Sequence, residues 1–139
     1  MKVTLNRLND DFHFEAKGAS NVVVHIDSKV NEEVHGASPM ELLLMAVGGC
    51  NAIDIVSILK KQRQQITSYA IEVEGKRKEV RQAKPFEAIH VTVFLEGDID
   101  EAKAKRAAQL SFEKYCSVSI TLEGAVEVTY DVYVNDRKV

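Results

Sequence analysis

The chain predicts an α+β fold built on an antiparallel sheet, and three features predict it. Runs that alternate apolar and polar residues come in groups, first before residue 27 and again over 68–96. A long apolar segment with a sharply marked start, SPMELLLMAVGGCNAIDIVSILKK, separates the groups. The resulting order, βββ-α-ββ-α-β, contains no regular βαβ repeat of the kind that builds a parallel sheet.

Each element has its own local cause. VTLNR reads as a strand, Asn9-Asp10-Asp11 as a turn and FHFEA as the returning strand. Val22 to Ile26 is a third, β-branched run, and DSKVNEEVHGA (27–37) is a polar loop longer than most connections, which points to a role. Ser38 then suits an N-cap, Pro39 the first helical position, and Glu41 the third, together a capping box. Leu42 to Val47 cover every face of the following two turns, the pattern of a buried helix. Strands are expected over roughly 68–80 and 86–96. Asp98 with Glu101 is the expected cap of a second helix, DEAKAKRAAQLSFEKY. SVSITLEG reads as a short helix ending at Gly124, and AVEVTYDVYV as the closing strand. No linker or repeat divides the chain, so residues 1–139 read as a single domain.

Composition narrows the function. A net charge of −3 with no basic cluster argues against a nucleic-acid partner. MKVTLNRLNDDF turns polar at once, unlike a signal peptide, and the longest apolar run, LLLMAV, is far below the roughly 20 residues that span a membrane. A cytoplasmic protein is expected, where a structural disulfide is uncommon. Its two cysteines, Cys50 and Cys116, each in an apolar helical setting, are then either buried filler or a matched redox pair.

Helical spacing puts Leu43, Ala46, Val47, Asp54 and Ser57 on the face of Cys50. Asp54 would raise the thiol pKa, so a solvated or helix-end role is expected for it. Gly48 and Gly49 cost about 1 kcal/mol each in mid-helix, which implies a close approach, by another helix or by a ligand. Glu41 is better explained as a cap than as a catalytic carboxylate. His13 and His90 lie in strands and read as structural, while His35 is free to reach a site. No pair of histidines or cysteines has metal-ligand spacing, so no metal and no cofactor is expected.

SPMELLLMAVGGC and KYCSVSITLEGAVEVTY, at this separation, resemble the OsmC/Ohr family of thiol-dependent peroxidases, in a less-studied branch. The resemblance implies an intertwined homodimer with two central helices between curved sheets. It implies Cys50 as peroxidatic cysteine, Cys116 as resolving cysteine, an organic hydroperoxide as substrate and an external dithiol as reductant. In the hydroperoxide-resistance branch, a glutamate directly after the helix-starting proline pairs with an arginine from the first strand turn. Here that position is Met40, with Glu41 one residue on, and the turn is Asn9-Asp10-Asp11. Arg7, on the strand before it, is the candidate arginine, with Lys114 as the substitute cation. Two other readings stand beside the peroxidase. One is a non-enzymatic protein binding a small hydrophobic ligand in the dimer cleft. The other is a cysteine hydrolase with His35 or His25 as base.

Overall fold

Three short strands open the chain, β1 (Thr4–Arg7), β2 (Phe14–Lys17) and β3 (Val23–Ile26), paired antiparallel in that order. The computed structural model describes residues 1–28, 30 and 33–139; Lys29, Asn31 and Glu32 of the expected 27–37 loop lie outside the described residues. The chain forms two compact units, Met1–Leu43 and Leu44–Val139.

In the first unit the β1–β2 turn is closed by Asn9. Its Oδ1 accepts from the backbone N–H of Asp11 at 3.1 Å and of His13 at 3.2 Å. The turn therefore takes in Phe12 and His13, and β2 begins two residues later than the alternation of FHFEA predicts. After β3, the chain returns to make a bridge between Ile26 and Ala37.

The long helix α1 (Pro39–Lys61) begins in the first unit and runs into the second. Its start is the capping box that the sequence predicts. Glu41 Oε2 accepts from the Ser38 N–H and from the Ser38 hydroxyl, both at 2.8 Å, and Ser38 Oγ accepts from the Glu41 N–H at 3.3 Å. By length and composition α1 could cross a bilayer, which the short run LLLMAV conceals. Single polar residues interrupt the run without making the helix polar. Only 28% of its most apolar window is buried.

The second unit holds a four-stranded sheet ordered β4 (Gln65–Arg77), β5 (Phe86–Asp98), β6 (Glu127–Val134) and β7 (Arg137–Lys138). β4 and β5 form a long antiparallel hairpin, but β5 and β6 run parallel. The sheet is therefore mixed rather than wholly antiparallel. A parallel neighbour needs a long crossover, and two helices supply it here: α2 (Glu101–Leu110) and α3 (Ser117–Leu122), joined by a π-helical turn, Ser111–Tyr115. The expected 16-residue helix thus stops at Leu110. Its cap is Asp100, whose side chain accepts from the Lys103 N–H at 2.9 Å, while Asp98 stays in β5. β4 starts earlier than expected because Arg63, at φ 59°, turns the chain sharply after α1.

Buried apolar residues of this unit come from three elements: Val47, Ile55 and Leu59 of α1, Ile89, Val91, Val93 and Leu95 of β5, and Ala104, Ala107 and Ala108 of α2. The central strand alternates as a sheet covered on one face should, with His90, Thr92 and Phe94 half-buried on the other. Small alanines on α2 allow close packing, and truncating Ile55 or Leu59 to Ala should cost about 2–5 kcal/mol.

Candidate active site

Close packing of α1 on β4 sets the position of Cys50. A Cβ on Gly48 would sit 2.8 Å from Val73 Cγ2, so only glycine lets the helix approach the strand this closely. The neighbour that requires Gly48 is thus a strand, not a second helix. Among the described residues Gly49 has no such neighbour, with nothing within 4 Å of its would-be Cβ.

The π turn places the second thiol. Cys116 N–H closes the wide turn onto Ser111 O at 2.9 Å, and the chain then breaks to an extended conformation and starts α3. Cys116 is the cap of α3, and its sulfur accepts from the N–H of Ser119 at 3.4 Å and from the Ser119 hydroxyl at 3.2 Å. Cys116 is fully buried, whereas Cys50 is partly exposed, and both are free thiols.

Two distant helical segments thereby bring three groups together. The Cys50 sulfur, the Cys116 sulfur and a carboxylate oxygen of Asp54 all lie within 4.8 Å of one another. A buried polar network surrounds them. Asn51 Nδ2 donates to Ser119 Oγ at 3.2 Å and to Val47 O at 2.8 Å. Ser111 Oγ donates to Asn51 Oδ1 at 2.8 Å, with Asp54 Oδ2 at 3.2 Å as a second acceptor. Asp54 is therefore not a helix-end residue but a half-buried one, facing an open cleft while it accepts from Ser111. It is one turn after Cys50 and is drawn inward by Ser111.

Electrostatics act against ionisation of Cys50. Burial pushes its thiol pKa up, the Cys116 thiol beside it pushes further, and the Asp54 charge adds to both. The backbone N–H of Val118, in the first turn of α3, donates to the Cys50 sulfur and is the opposing influence. Two sulfurs and a carboxylate in this geometry can pass electrons as a thiol pair, and they can also grip a thiophilic ion such as Zn2+.

The supporting residues expected from the sequence make the following contacts. Arg7 donates from Nε to Asp11 O at 2.9 Å and from its terminal nitrogen to Asp10 O, fastening its own hairpin turn. Glu41 forms the capping box. Lys114 extends over the ring of Tyr115. His25 and His35 gather with His13 in the first unit. His90 bonds Thr129 Oγ1 at 2.8 Å on the sheet, the structural role expected for it. Sequence reasoning missed Asn51, Ser111 and Ser119. The only available sign was a polar residue, Asn51, directly after Cys50 in a segment otherwise rich in apolar residues.

Beside the site lies an open cleft of about 560 Å³, lined by Asp54, Ser57, Ile58, Lys61, Leu110 and Tyr115 among others. Ile58, Leu110 and Tyr115 give it apolar walls, and among the described residues Lys61 is its cation, Asp54 its carboxylate, and Ser57 and Gln62 its neutral polar groups.

Comparison with known proteins agrees with this architecture. The family model of the OsmC-like proteins matches residues 27–131. Protein YhfA of Escherichia coli (strain K12) is 38% identical over 122 residues, which cover 87% of this chain and 89% of YhfA. An OsmC-like protein from Mycoplasma pneumoniae superposes with a TM-score of 0.81 at 17% identity, covering 96% of this chain and 95% of the other. The organic hydroperoxide resistance protein OhrB of Bacillus subtilis has the same fold at a TM-score of 0.63 and 21% identity, covering 95% and 96%. On the family match and the identity to YhfA, the chain belongs to the OsmC-like family.

Proposed function

We propose that this protein is a thiol-dependent peroxidase that reduces organic hydroperoxides, with Cys50 attacking and Cys116 resolving. The observation that carries the reading is the placement of both sulfurs within 4.8 Å, from segments far apart in sequence. The fold shared with a hydroperoxide resistance protein supports it. The partly exposed Cys50 is reachable by a peroxide and the buried Cys116 is not.

In the first step the Cys50 thiolate attacks the terminal oxygen of the hydroperoxide. An S–O bond forms, the O–O bond breaks, and the alkoxide leaves and is protonated to the alcohol. Cys50 is now a sulfenic acid, oxidised by two electrons. Cys116 attacks that sulfur, an S–S bond forms, and water departs. An external dithiol reduces the disulfide by exchange. The apolar walls of the neighbouring cleft suit an alkyl or fatty hydroperoxide better than hydrated hydrogen peroxide. Glu41 and Arg7 are assigned to the helix cap and the hairpin turn rather than to a chemical step.

The working form is a cytoplasmic homodimer of a single OsmC-like domain. Met45 and Ile53 of α1 are 58% and 72% exposed in the isolated chain, so the helix has an apolar face left to cover. The family match crosses the boundary between the two compact units.

A second reading is favoured by one observation, the upward push on the Cys50 pKa, which disfavours the attacking thiolate. In that reading the protein binds a small hydrophobic ligand and the thiols do not turn over. Consumption of cumene hydroperoxide with dithiothreitol as reductant decides between them. The peroxidase reading expects turnover that Cys50→Ser abolishes. No consumption by the wild-type protein, with saturable binding of an apolar dye, would establish the binding reading instead.

A further inference from the structure

Away from the thiols, the first unit gathers three of the four histidines. His13 Nε2 and His25 Nδ1 face each other at 2.8 Å, and the His35 ring stacks on the His13 ring with centroids 4.8 Å apart. The sequence separates these residues by 12 and 10 positions, and no linear motif joins them.

Each backbone is fixed independently. His13 is held by its N–H to Asn9 Oδ1 at 3.2 Å and by its carbonyl, which accepts from the Leu8 N–H at 2.8 Å. His25 lies in β3, and its carbonyl accepts from the Ala37 N–H at 3.2 Å. His35 is held by its N–H to Asp27 Oδ2 at 3.0 Å. Gly36 makes the approach possible, since a Cβ there would lie 2.4 Å from the His25 carbonyl. Buried Asp27 thus serves as the anchor of His35. Its carboxyl is held below the usual range by the His35 and Ser28 N–H groups, with His13 and His35 nearby.

We propose that His13, His25 and His35 form a binding site for a divalent first-row transition ion such as Zn2+, Co2+ or Ni2+. Neutral imidazole is the commonest ligand for these ions. Two imidazole nitrogens on one tetrahedral ion stand about 3.3 Å apart, given metal–nitrogen bonds of about 2.0–2.1 Å. The His13–His25 pair is therefore within about half an ångström of ligand spacing. His35 completes a three-nitrogen set by turning its side chain, with its backbone already in place. His25 and His35 are exposed, so an ion can enter from solvent and a water can fill the fourth position. Bound there, the ion ties His35 to the β2–β3 hairpin.

Titration with Co2+, followed by its visible absorption and by calorimetry, tests the site. Because Cys50, Asp54 and Cys116 could compete for metal, the protein carries Cys50→Ser and Cys116→Ser. The result is therefore independent of the peroxidase reading. One ion per chain should bind saturably. His13→Gln, His25→Gln and His35→Gln should each weaken binding at least about tenfold, while His90→Gln leaves it unchanged, with circular dichroism confirming that every variant is folded. Absence of saturable binding, or undiminished binding in any of the three cluster variants, would overturn the proposal.

Discussion

Asn51 Nδ2 and Ser119 Oγ stand 3.2 Å apart, joining α1 to the first turn of α3 beside the Cys116 thiol. Through Ser119 the link reaches the Cys116 sulfur, and through Asn51 Oδ1 it reaches Ser111 and Asp54. Buried Asn51, Ser111 and Ser119 and half-buried Asp54 are each bonded to another of the set, which favours one arrangement of the helices.

Removing Asn51 should therefore be expensive. Asn51→Ala leaves the Ser111 and Ser119 hydroxyls short of a buried partner, at about 1–3 kcal/mol, with a cavity adding to the loss. Urea denaturation measures it. A change below about 0.5 kcal/mol would mean that the network is not a unit.

The adjacent glycines should respond in opposite directions. Gly49→Ala meets no described residue of its own chain and gains helix propensity, so the chain should become more stable by about 0.5–1 kcal/mol. Gly48→Ala drives a methyl against Val73 and should lose stability by about 1–3 kcal/mol. Thermal melts of both variants check the pair. Gly49 lies between Met45 and Ile53 on the face that the proposed homodimer covers, so destabilisation by Gly49→Ala would mean that the partner copy packs there too closely to admit a methyl.

What could be read from the sequence followed the range of the interactions involved. The start of α1 was legible because Ser38, Pro39 and Glu41 act within three residues of one another. β5 was legible because one covered face imposes alternation from Ile89 to Leu95. The parallel β5–β6 pairing was hidden, since it depends on a crossover whose π turn leaves no sequence pattern. The same turn aims Ser111 at Asp54, so the inward role of Asp54 could not be derived from helical spacing along α1 alone. The His13–His25–His35 cluster was hidden for a related reason: hairpin closure and the return of the chain to β3 create it.

The proton on Cys50 gives a pH prediction. Its pKa is raised in the folded protein, so the native state holds this proton more tightly than the unfolded chain does. The resulting stability is fully present below the unfolded thiol value of about 8.5 and is lost as pH rises through the folded value. Reaction with iodoacetamide should therefore accelerate only above the ordinary thiol range. Asp54→Asn removes one of the influences raising the pKa and should shift that profile to lower pH. An unchanged profile in Asp54→Asn would remove Asp54 from the electrostatics of the site.

Glu41 should behave as a cap. Glu41→Gln keeps most of the capping contacts and should change stability by less than about 1 kcal/mol, with turnover retained. Abolished turnover at unchanged stability would place this carboxylate in the chemistry.

Light scattering should give twice the 15.5 kDa chain mass at micromolar concentration, because α1 leaves Met45 and Ile53 uncovered. A monomer at that concentration would show that some other surface of the chain, or solvent, accommodates this face.

The central claim is that Cys50 and Cys116 work as a redox pair, and mass spectrometry of the oxidised protein tests it most directly. Reduced protein is treated with less than one equivalent of cumene hydroperoxide, alkylated, and digested. The account predicts a peptide pair cross-linked through Cys50 and Cys116 within one chain, with Cys116→Ser trapping sulfenic acid on Cys50. Both thiols recovered fully alkylated, or a disulfide formed only between chains, would contradict it.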